Sequence, residues 1–252
     1  MLDGHAHICD PVFDEDRSEV LARAKSIGVS SIIAVGENLD DAFKNLALAE
    51  RYPELKPAAG LYPTILDMRM AEALVAFIRH HRSALAAIGE VGLDYRVVTD
   101  DREKAQQREI FCRFIALSKA LDLPLNVHSR SAGRHAVALL LDNQASRVQM
   151  HAFDGKASAA RPAVEAGYFF SIPPSVVRSR QKQKLVRQLP LSAILLETDS
   201  PVLGPAAGLR NEPANLIVSA RAIAQIKDVP MAAVMEAAAC NASRLYGRVL
   251  QA

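Results

Sequence analysis

Eight short apolar segments alternate with amphipathic segments along the 252 residues, and this alternation predicts an α/β fold, the (β/α)8 or TIM barrel. A length near 250 residues is typical of that barrel as one domain, and no linker or compositional break divides the chain. The main alternative is an open doubly wound sheet, but no glycine-rich dinucleotide-binding motif follows the first strand. We therefore predict a single domain over residues 1–252.

The predicted strands contain β-branched or long aliphatic residues between turn formers. They are Leu2–His7, Ser31–Val35, Pro57–Leu61, Ala86–Gly89, Leu123–His128, Arg147–His151, Tyr168–Ile172 and Ala193–Thr198. The third has the least strand character, because alanine and glycine dominate it and a proline begins it.

Helical spacing of apolar residues is clearest in two of the segments between strands. The residues that share one face are Val20, Leu21, Ala24 and Ile27 in the first segment, and Ile110, Phe114, Leu117 and Leu121 in the second. Asp100 or Asp101 is suited to cap the second helix. Near the C-terminus, Pro230 suits a first helical turn and Gly247 predicts the end of that helix.

The composition excludes several classes of protein. Half of the residues are hydrophobic and 23% are charged, with 12 glycines and 13 prolines, which excludes disorder and collagen. No apolar run reaches the roughly 18 residues of a membrane helix, and Met1–Asp10 lacks a signal peptide's basic and apolar regions. We expect a soluble protein with no membrane partner. Cys9, Cys112 and Cys240 fit neither a disulfide framework nor a paired-cysteine zinc site, which predicts a reducing cytoplasm.

Residue types that bind metals fall at the carboxyl ends of five predicted strands. They are His5, His7, Glu90, His128, His151 and Asp199. Because alternate residues of a strand share a face, both histidines of the first strand point into the barrel. Taken alone, the pair His5 and His7 fits metal binding and an incidental pair equally, and each of the other four is more often a packing or loop residue. Together they lie at the rim where barrel enzymes build their active sites.

Four imidazoles and two carboxylates predict a site for one or two divalent ions. The first group of ligands is His5, His7, Glu90 and Asp199, and the second is Glu90, His128 and His151, with Glu90 as the bridge. A metal pair activates water for hydrolysis, and Asp199 can act as the general base, so Asp199 and Glu90 are the predicted catalytic residues. The nitrogen-rich set suits Zn²⁺, Ni²⁺ or Fe²⁺ better than Mg²⁺, and the identity of the metal stays open among Zn²⁺, Mg²⁺, Mn²⁺ and Ni²⁺. Ser129 and Ser200 adjoin the site but lie in no nucleophile-elbow motif.

Three basic features near the predicted site concern the substrate. Arg130 and Arg210 follow the fifth and eighth strands, where each either binds phosphate or forms a loop salt bridge. The run Arg178–Arg187 either guides a polyanion or is the solvated face of an amphipathic helix, and the second interpretation is favoured. The remaining histidines, His80, His81 and His135, are predicted on helix surfaces.

Seven motifs, in order along nearly the whole chain, resemble the TatD-type metal-dependent hydrolases, also described as TatD-related deoxyribonucleases. The motifs are Asp3–His7, Gly89–Tyr95, Val127–Arg130, His151–Gly155, Leu196–Pro201, Arg210–Pro213 and Asn241–Gly247. The resemblance implies a TIM barrel of the amidohydrolase-like group and metal ligation by the six residues above. It also implies cleavage of DNA supported by magnesium or manganese, commonly as a 3′→5′ exonuclease.

Three positions depart from the pattern of that family. Ala6 stands where cysteine is common, Tyr62 where many members have histidine, and Asp154 where serine or threonine precedes glycine. Every ligand position is kept, so these departures bear on substrate choice, because an added acid repels phosphate.

Three functions follow from these observations. The first is hydrolysis of phosphodiester bonds in nucleic acid, with single-stranded DNA ends as the expected substrate. The second keeps the metal site and cleaves an ester, lactone or amide of a small molecule or aminoacyl group, which the net charge of only +2 and Asp154 mildly favour. The third is a non-catalytic barrel, which the retention of all six ligand types argues against.

Overall fold

The computed structural model describes residues 1–250, with side chains for residues 1–247, so the last two residues of the predicted domain lie outside the described residues. Its eight strands are all parallel and pair in the order of the sequence. Beyond the last strand, Ala6 pairs with Ser200, and the His7 amide donates to the Ser200 carbonyl over 2.8 Å. This contact joins the first strand to the end of the last. The predicted (β/α)8 barrel is confirmed.

Helices connect successive strands of the barrel. The strands are β1 Leu2–Ala6, β2 Ser31–Ala34, β3 Leu55–Ala59, β4 Ala87–Gly92, β5 Leu125–His128, β6 Val148–Met150, β7 Phe169–Ile172 and β8 Ile194–Leu196. The helices of residues 1–250 are α1 Arg17–Ser26, α2 Leu39–Arg51, α3 Met68–His80, α4 Asp101–Leu121, α5 Gly133–Asp142, α6 Ala157–Glu165, α7 Arg180–Gln188, α8 Leu216–Lys227 and α9 Met231–Leu250. None of these helices combines the length and apolarity that a bilayer crossing requires.

All eight predicted strands are present, and the largest differences concern the third and fourth. The third begins two residues earlier, because the buried Leu55 pairs with Ile32. Pro57 lies within it and accepts the Ala86 N–H over 2.7 Å through its carbonyl. The fourth continues to Gly92, so Glu90 is a strand residue rather than the first residue after a strand.

The helix predictions hold with two corrections. Asp100 caps α4, since its side chain accepts the amides of Arg102 and Glu103. Ile27 follows α1 and is 37% exposed, so it does not join the buried face. The predicted end at Gly247 is wrong, because α9 continues to Leu250. A glycine within a helix costs only about 1 kcal/mol, and the buried Leu245 and Tyr246 hold α9 against the barrel just before it.

Inside the barrel, an apolar layer lies beneath a polar one. Alternate residues along each strand point inward. The inward residues of the apolar layer, which pack with Tyr246 of α9, are Ile33, Val35, Ala58, Ala87, Phe169 and Leu195. The polar layer is joined by hydrogen bonds: Gln149 donates to Ser171 over 2.8 Å and to the Gly4 carbonyl over 2.9 Å. This layer supports the end of the barrel where the candidate site lies.

Candidate metal centre

The six predicted ligands meet at the carboxyl end of the barrel. His5 lies in β1, Glu90 in β4 and His128 at the end of β5. The other three, His7, His151 and Asp199, come after strands β1, β6 and β8. All are buried except His7, which is partly exposed. Five strands that are distant in sequence thus bring four imidazoles and two carboxylates into one cluster.

Glu90 lies at the centre of this cluster, with its two oxygens turned to different histidines. Oε2 is 3.3 Å from His7 Nε2 and 3.7 Å from His5 Nε2. Oε1 is 2.6 Å from His128 Nδ1 and 3.8 Å from His151 Nε2. One carboxylate therefore faces two pairs of imidazoles, which is the arrangement expected of a bridging ligand.

The carboxylate of Asp199 also faces two of these histidines. Its Oδ1 is 3.4 Å from His5 Nε2, and its Oδ2 is 3.7 Å from His151 Nε2. The residue has a φ of 56°, in the left-handed region that aspartate adopts more readily than most residues. Its amide donates to the His5 carbonyl over 2.8 Å, so the backbone that carries the carboxylate is tied to β1.

The donor atoms fit divalent cations. Three groups of possible ligands each have donor atoms within 4.8 Å of one another: His5 with His7 and Glu90, Glu90 with His128 and His151, and His5 with His151 and Asp199. The first two groups share Glu90, as predicted for a bridge. At these separations the imidazole and carboxylate atoms of one group can bind the same ion.

Three of the histidines are held through the ring nitrogen that faces away from the cluster. His5 Nδ1 is 2.8 Å from Asn126 Oδ1, and His151 Nδ1 is 2.9 Å from Glu197 Oε2. His128 is turned the other way, with Nε2 3.0 Å from Asp94 Oδ2. Such contacts fix the tautomer and orientation of histidines that bind metals.

Asn126, Glu197 and Asp94 were not among the predicted site residues. For two of them the signal was the strand period of two: Asn126 precedes His128 by two positions, and Glu197 precedes Asp199 by two, so each pair points inward. Asp94 lies beyond β4, in the Gly89–Tyr95 motif, and no periodicity places it beside His128.

Burial and mutual charge shift the pKa values of the cluster in opposite directions. Burial lowers the pKa of His7, but Glu90 and Asp199 outweigh it and raise the value to about 9. The pKa of His128 also rises to about 9, because Glu90 and Asp94 outweigh burial. Burial raises the pKa of Asp199 to about 6. Burial and His151 hold the pKa of His5 well below its usual value.

A cavity of about 480 Å³ opens above the cluster, and its walls differ in charge. Asp10 and Glu37, which follow β1 and β2, supply carboxylates on one side. Arg130, which follows β5, and Lys182 of α7 supply cations on the other. Tyr62 lines the cavity 5.1 Å from the His128 ring, edge to face.

The two arginines predicted to bind substrate are placed differently. Arg130 lines the cavity and is exposed. Arg210 instead forms a bidentate salt bridge with Asp16, with N–O distances of 2.9 and 2.5 Å. Its guanidinium lies over the Phe13 ring. It is not among the residues that line the cavity. For Arg210 the structure has the loop salt bridge, which is one of the two alternatives, and its role in binding substrate stays a prediction.

The basic run Arg178–Arg187 mostly fits the favoured interpretation of a solvated helix face. Leu185 and Val186 of α7 are buried, while Lys184 is exposed. Lys182 is the exception, because its ammonium points toward the cavity and donates to the Ala152 carbonyl over 3.2 Å. Burial lowers the pKa of this lysine.

Among the other polar residues considered in the sequence, Ser129 and Asp154 line the cavity, whereas the following residues do not. His80 and His135 are exposed, and His81 is partly exposed at the end of α3. Ser200 is buried and donates to the Thr198 hydroxyl over 2.8 Å, rather than facing a histidine. Cys9, Cys112 and Cys240 are unpaired.

The chain is similar to proteins of one known family. A family model described as TatD related DNase matches residues 2–247. The chain belongs to the TatD-related DNase family. It is therefore a metal-dependent hydrolase, and the family resemblance predicted from the seven motifs is confirmed.

Individual relatives of the TatD-related chain agree with this assignment. A human protein named Deoxyribonuclease TATDN3 is 44% identical over 264 residues, covering 99% of this chain and 95% of that protein. A Bacillus subtilis protein named Uncharacterized metal-dependent hydrolase YabD is 32% identical, covering 98% of each chain. The crystal structure of the Escherichia coli TatD homologue YJJV superposes with a TM-score of 0.90 at 27% identity, covering 98% of each chain.

Proposed function

We propose that this protein is a metal-dependent deoxyribonuclease that removes nucleotides from single-stranded DNA ends in the 3′→5′ direction. The observation that carries the proposal is the position of Glu90, whose two oxygens face two separate pairs of imidazoles. The name of the human relative and the family description support DNA as the substrate.

Six side chains would hold the metal ions: His5, His7, Glu90, His128, His151 and Asp199. When bound, a pair of divalent ions lowers the pKa of a coordinated water and stabilises the charge that develops on the attacking and leaving oxygens. Asp199 orients the attacking water and accepts its proton at a carboxylate oxygen, a task that suits its raised pKa. The nitrogen-rich donor set supports Zn²⁺ or Ni²⁺ in the isolated protein, with Mg²⁺ or Mn²⁺ able to sustain activity.

The basic side of the cavity would bind the phosphates of an anionic substrate. Arg130 offers a planar guanidinium that can bind two phosphate oxygens at once. Lys182 adds an ammonium whose only hydrogen bond among the described residues is to one backbone carbonyl, which leaves donors free for phosphate. The carboxylate of Asp154, which on sequence grounds favoured an uncharged substrate, accepts the Ser131 amide over 2.8 Å. The unpaired cysteines support a reducing compartment such as the cytoplasm.

The test is cleavage of end-labelled single-stranded DNA by purified protein supplied with Mg²⁺, Mn²⁺ or Zn²⁺. We expect nucleotides to be released stepwise from a 3′ end by the wild type. The variant Asp199→Asn keeps the shape of the side chain but cannot accept the proton, and we expect it to be inactive. Asp142→Asn is the matched control, because Asp142 is exposed at the end of α5.

Two outcomes would overturn the proposal. One is the absence of DNA cleavage with every metal. The other is a strong preference for uncharged esters, lactones or amides when these are assayed beside DNA, since a metal-activated water attacks acyl carbon as well as phosphorus. The second outcome would assign the same metal centre to small-molecule or aminoacyl hydrolysis.

A further inference from the structure

A second cavity lies beside the active-site cavity, separated from it by one loop. The loop is the 152–155 ridge, residues Ala152 to Gly155, which follows β6. Lys182 of α7 donates to Ala152 on the active-site side. The neighbouring Gln181 donates to the carbonyls of Phe153 and Gly155 over 3.2 and 2.8 Å. Two consecutive residues of α7 therefore hold the ridge and lie on opposite sides of it.

The second cavity, about 580 Å³, is here named the α6–α7 groove. It is lined by the start of α6 and by one face of α7, and its cations are Lys156, Lys184 and Arg187. All three are exposed, and none forms a salt bridge within 4.0 Å in the part of the chain that the structure describes. Asp154, on the ridge, is the one carboxylate among the lining residues, and it also lines the active-site cavity.

The beginning of α6 adds to the positive potential of the groove. Lys156 is the N-cap residue, and no side chain caps the helix there. Ala157 and Ser158 of the first turn also line the groove. Free amides at a helix N-terminus attract anions, and they reinforce the three basic side chains.

The charges of the active-site cavity indicate the direction in which a polyanion extends from it. Asp10 and Glu37 repel phosphates on the side of β1 and β2. Arg130 and Lys182 attract them on the opposite side, where the ridge and the groove follow. The one carboxylate of the ridge is Asp154, which accepts the Ser131 amide. A strand that leaves the cavity on the basic side meets the α6–α7 groove next.

We propose that the α6–α7 groove binds the backbone phosphates of the single-stranded DNA that extends beyond the scissile bond. The inference rests on the proposed function, because only a polymeric substrate reaches past the ridge. The ridge divides the reacting phosphate, near Arg130 and Lys182, from phosphates farther along the strand, near Lys184 and Arg187.

The test compares a long with a minimal substrate in a triple variant, Lys156→Gln, Lys184→Gln and Arg187→Gln. A dT20 oligonucleotide spans both cavities, whereas bis(p-nitrophenyl) phosphate offers one phosphodiester at the metal centre. We expect the KM for dT20 to rise about tenfold or more, since exposed phosphate contacts dominate such binding. The KM and kcat for the small ester should not change. Each lost contact lowers the salt slope of log K by about 0.7, so the three together lower it by about 2.

The matched control removes three exposed cations from other helices: Lys25→Gln, Arg79→Gln and Arg221→Gln. It changes the net charge equally and should leave both substrates unaffected. Equal KM values for dT20 in the groove variant and the wild type would overturn the inference while leaving the nuclease proposal intact. So would an equal loss in the control, which would indicate a general charge effect. If the wild type neither binds nor cleaves dT20, both proposals fail together.

Discussion

The interior of the barrel has two unlike halves. On the side of β2 and β3, the inward residues are Ile33, Val35 and Ala58, which only fill space. On the side of β5 to β8, the inward residues just beneath the cluster are Asn126, Gln149, Ser171 and Glu197, and the apolar Phe169 and Leu195 lie below them. At the level beneath the cluster, one half of the interior therefore serves for packing and the other forms a hydrogen-bonded support.

The polar half is retained although burying polar groups is costly unless they are paired. Here they are paired: Asn126 bonds His5 and the Gly4 carbonyl, and Glu197 bonds His151 and Ser171. Two of these side chains therefore aim imidazoles at the metal centre. The difference between the halves supports a role for the polar residues in positioning the proposed ligands, whereas the apolar interior contributes stability.

The largest effect should come from Glu90, which lies on β4 between the two halves. In Glu90→Gln the bridge loses its charge, so we expect DNA cleavage to fall about a thousandfold or more, as several kcal/mol of metal-assisted stabilisation are lost. Bound metal should fall to at most one ion per chain by elemental analysis. Glu103→Gln on the exposed start of α4 is the control. Full activity in Glu90→Gln would exclude the bridging role.

Metal affinity should depend strongly on pH, because two histidines of the cluster carry protons at neutral pH. In the metal-free protein His7 and His128 have pKa values of about 9, so both are protonated at pH 7 and must lose a proton to bind metal. Metal affinity should therefore rise with pH up to about 9, by as much as about a hundredfold per pH unit for two protons. Asp199, with a pKa of about 6, adds a further proton below that pH.

Titration calorimetry in buffers of different ionisation enthalpy counts these protons directly. We expect about two to be released per chain on metal uptake at pH 7. Release of none, with an affinity that does not change between pH 7 and pH 8, would contradict the charge states assigned to His7 and His128.

A moderate effect should follow from Glu197→Gln, which keeps the size of the side chain but removes its charge. Glu197 accepts hydrogen bonds from His151, Ala152 and Ser171, and an amide cannot accept at both of its ends. We expect metal affinity or cleavage to fall about 10–100-fold, as for other partners of metal-bound histidines. A competition assay with a metal-sensitive dye measures the affinity. An unchanged affinity would mean that the polar half does not position the ligand.

The smallest effect should come from the apolar half. Ile33→Val removes one buried methylene, so the free energy of unfolding should fall by about 1 kcal/mol. Denaturation with urea measures this loss. Metal affinity and cleavage should be unchanged, since Ile33 packs in the apolar cluster with Leu195 and Tyr246. A loss of metal affinity as large as that of Glu197→Gln would remove the distinction between the halves.

The sequence predicts the barrel and the ligand set well because both depend on local patterns. Alternating strands and helices specify the fold, and the carboxyl ends of parallel strands meet at one rim, so His5 and His151 can be brought together without knowledge of any contact. The contacts of long side chains are less predictable. Arg210 pairs with Asp16, 194 residues away, and Lys182 turns toward the cavity from an otherwise solvated helix.

Metal ions held by the six clustered side chains, with Glu90 between them, can be located by anomalous diffraction. Crystals grown with Mn²⁺ or Zn²⁺ are measured at the absorption edge of the metal. We expect two peaks, one on each side of the Glu90 carboxylate, the first near His5 and His7 and the second near His128 and His151. No peak in the cluster at saturating metal, or peaks only at surface residues, would rule out this metal centre.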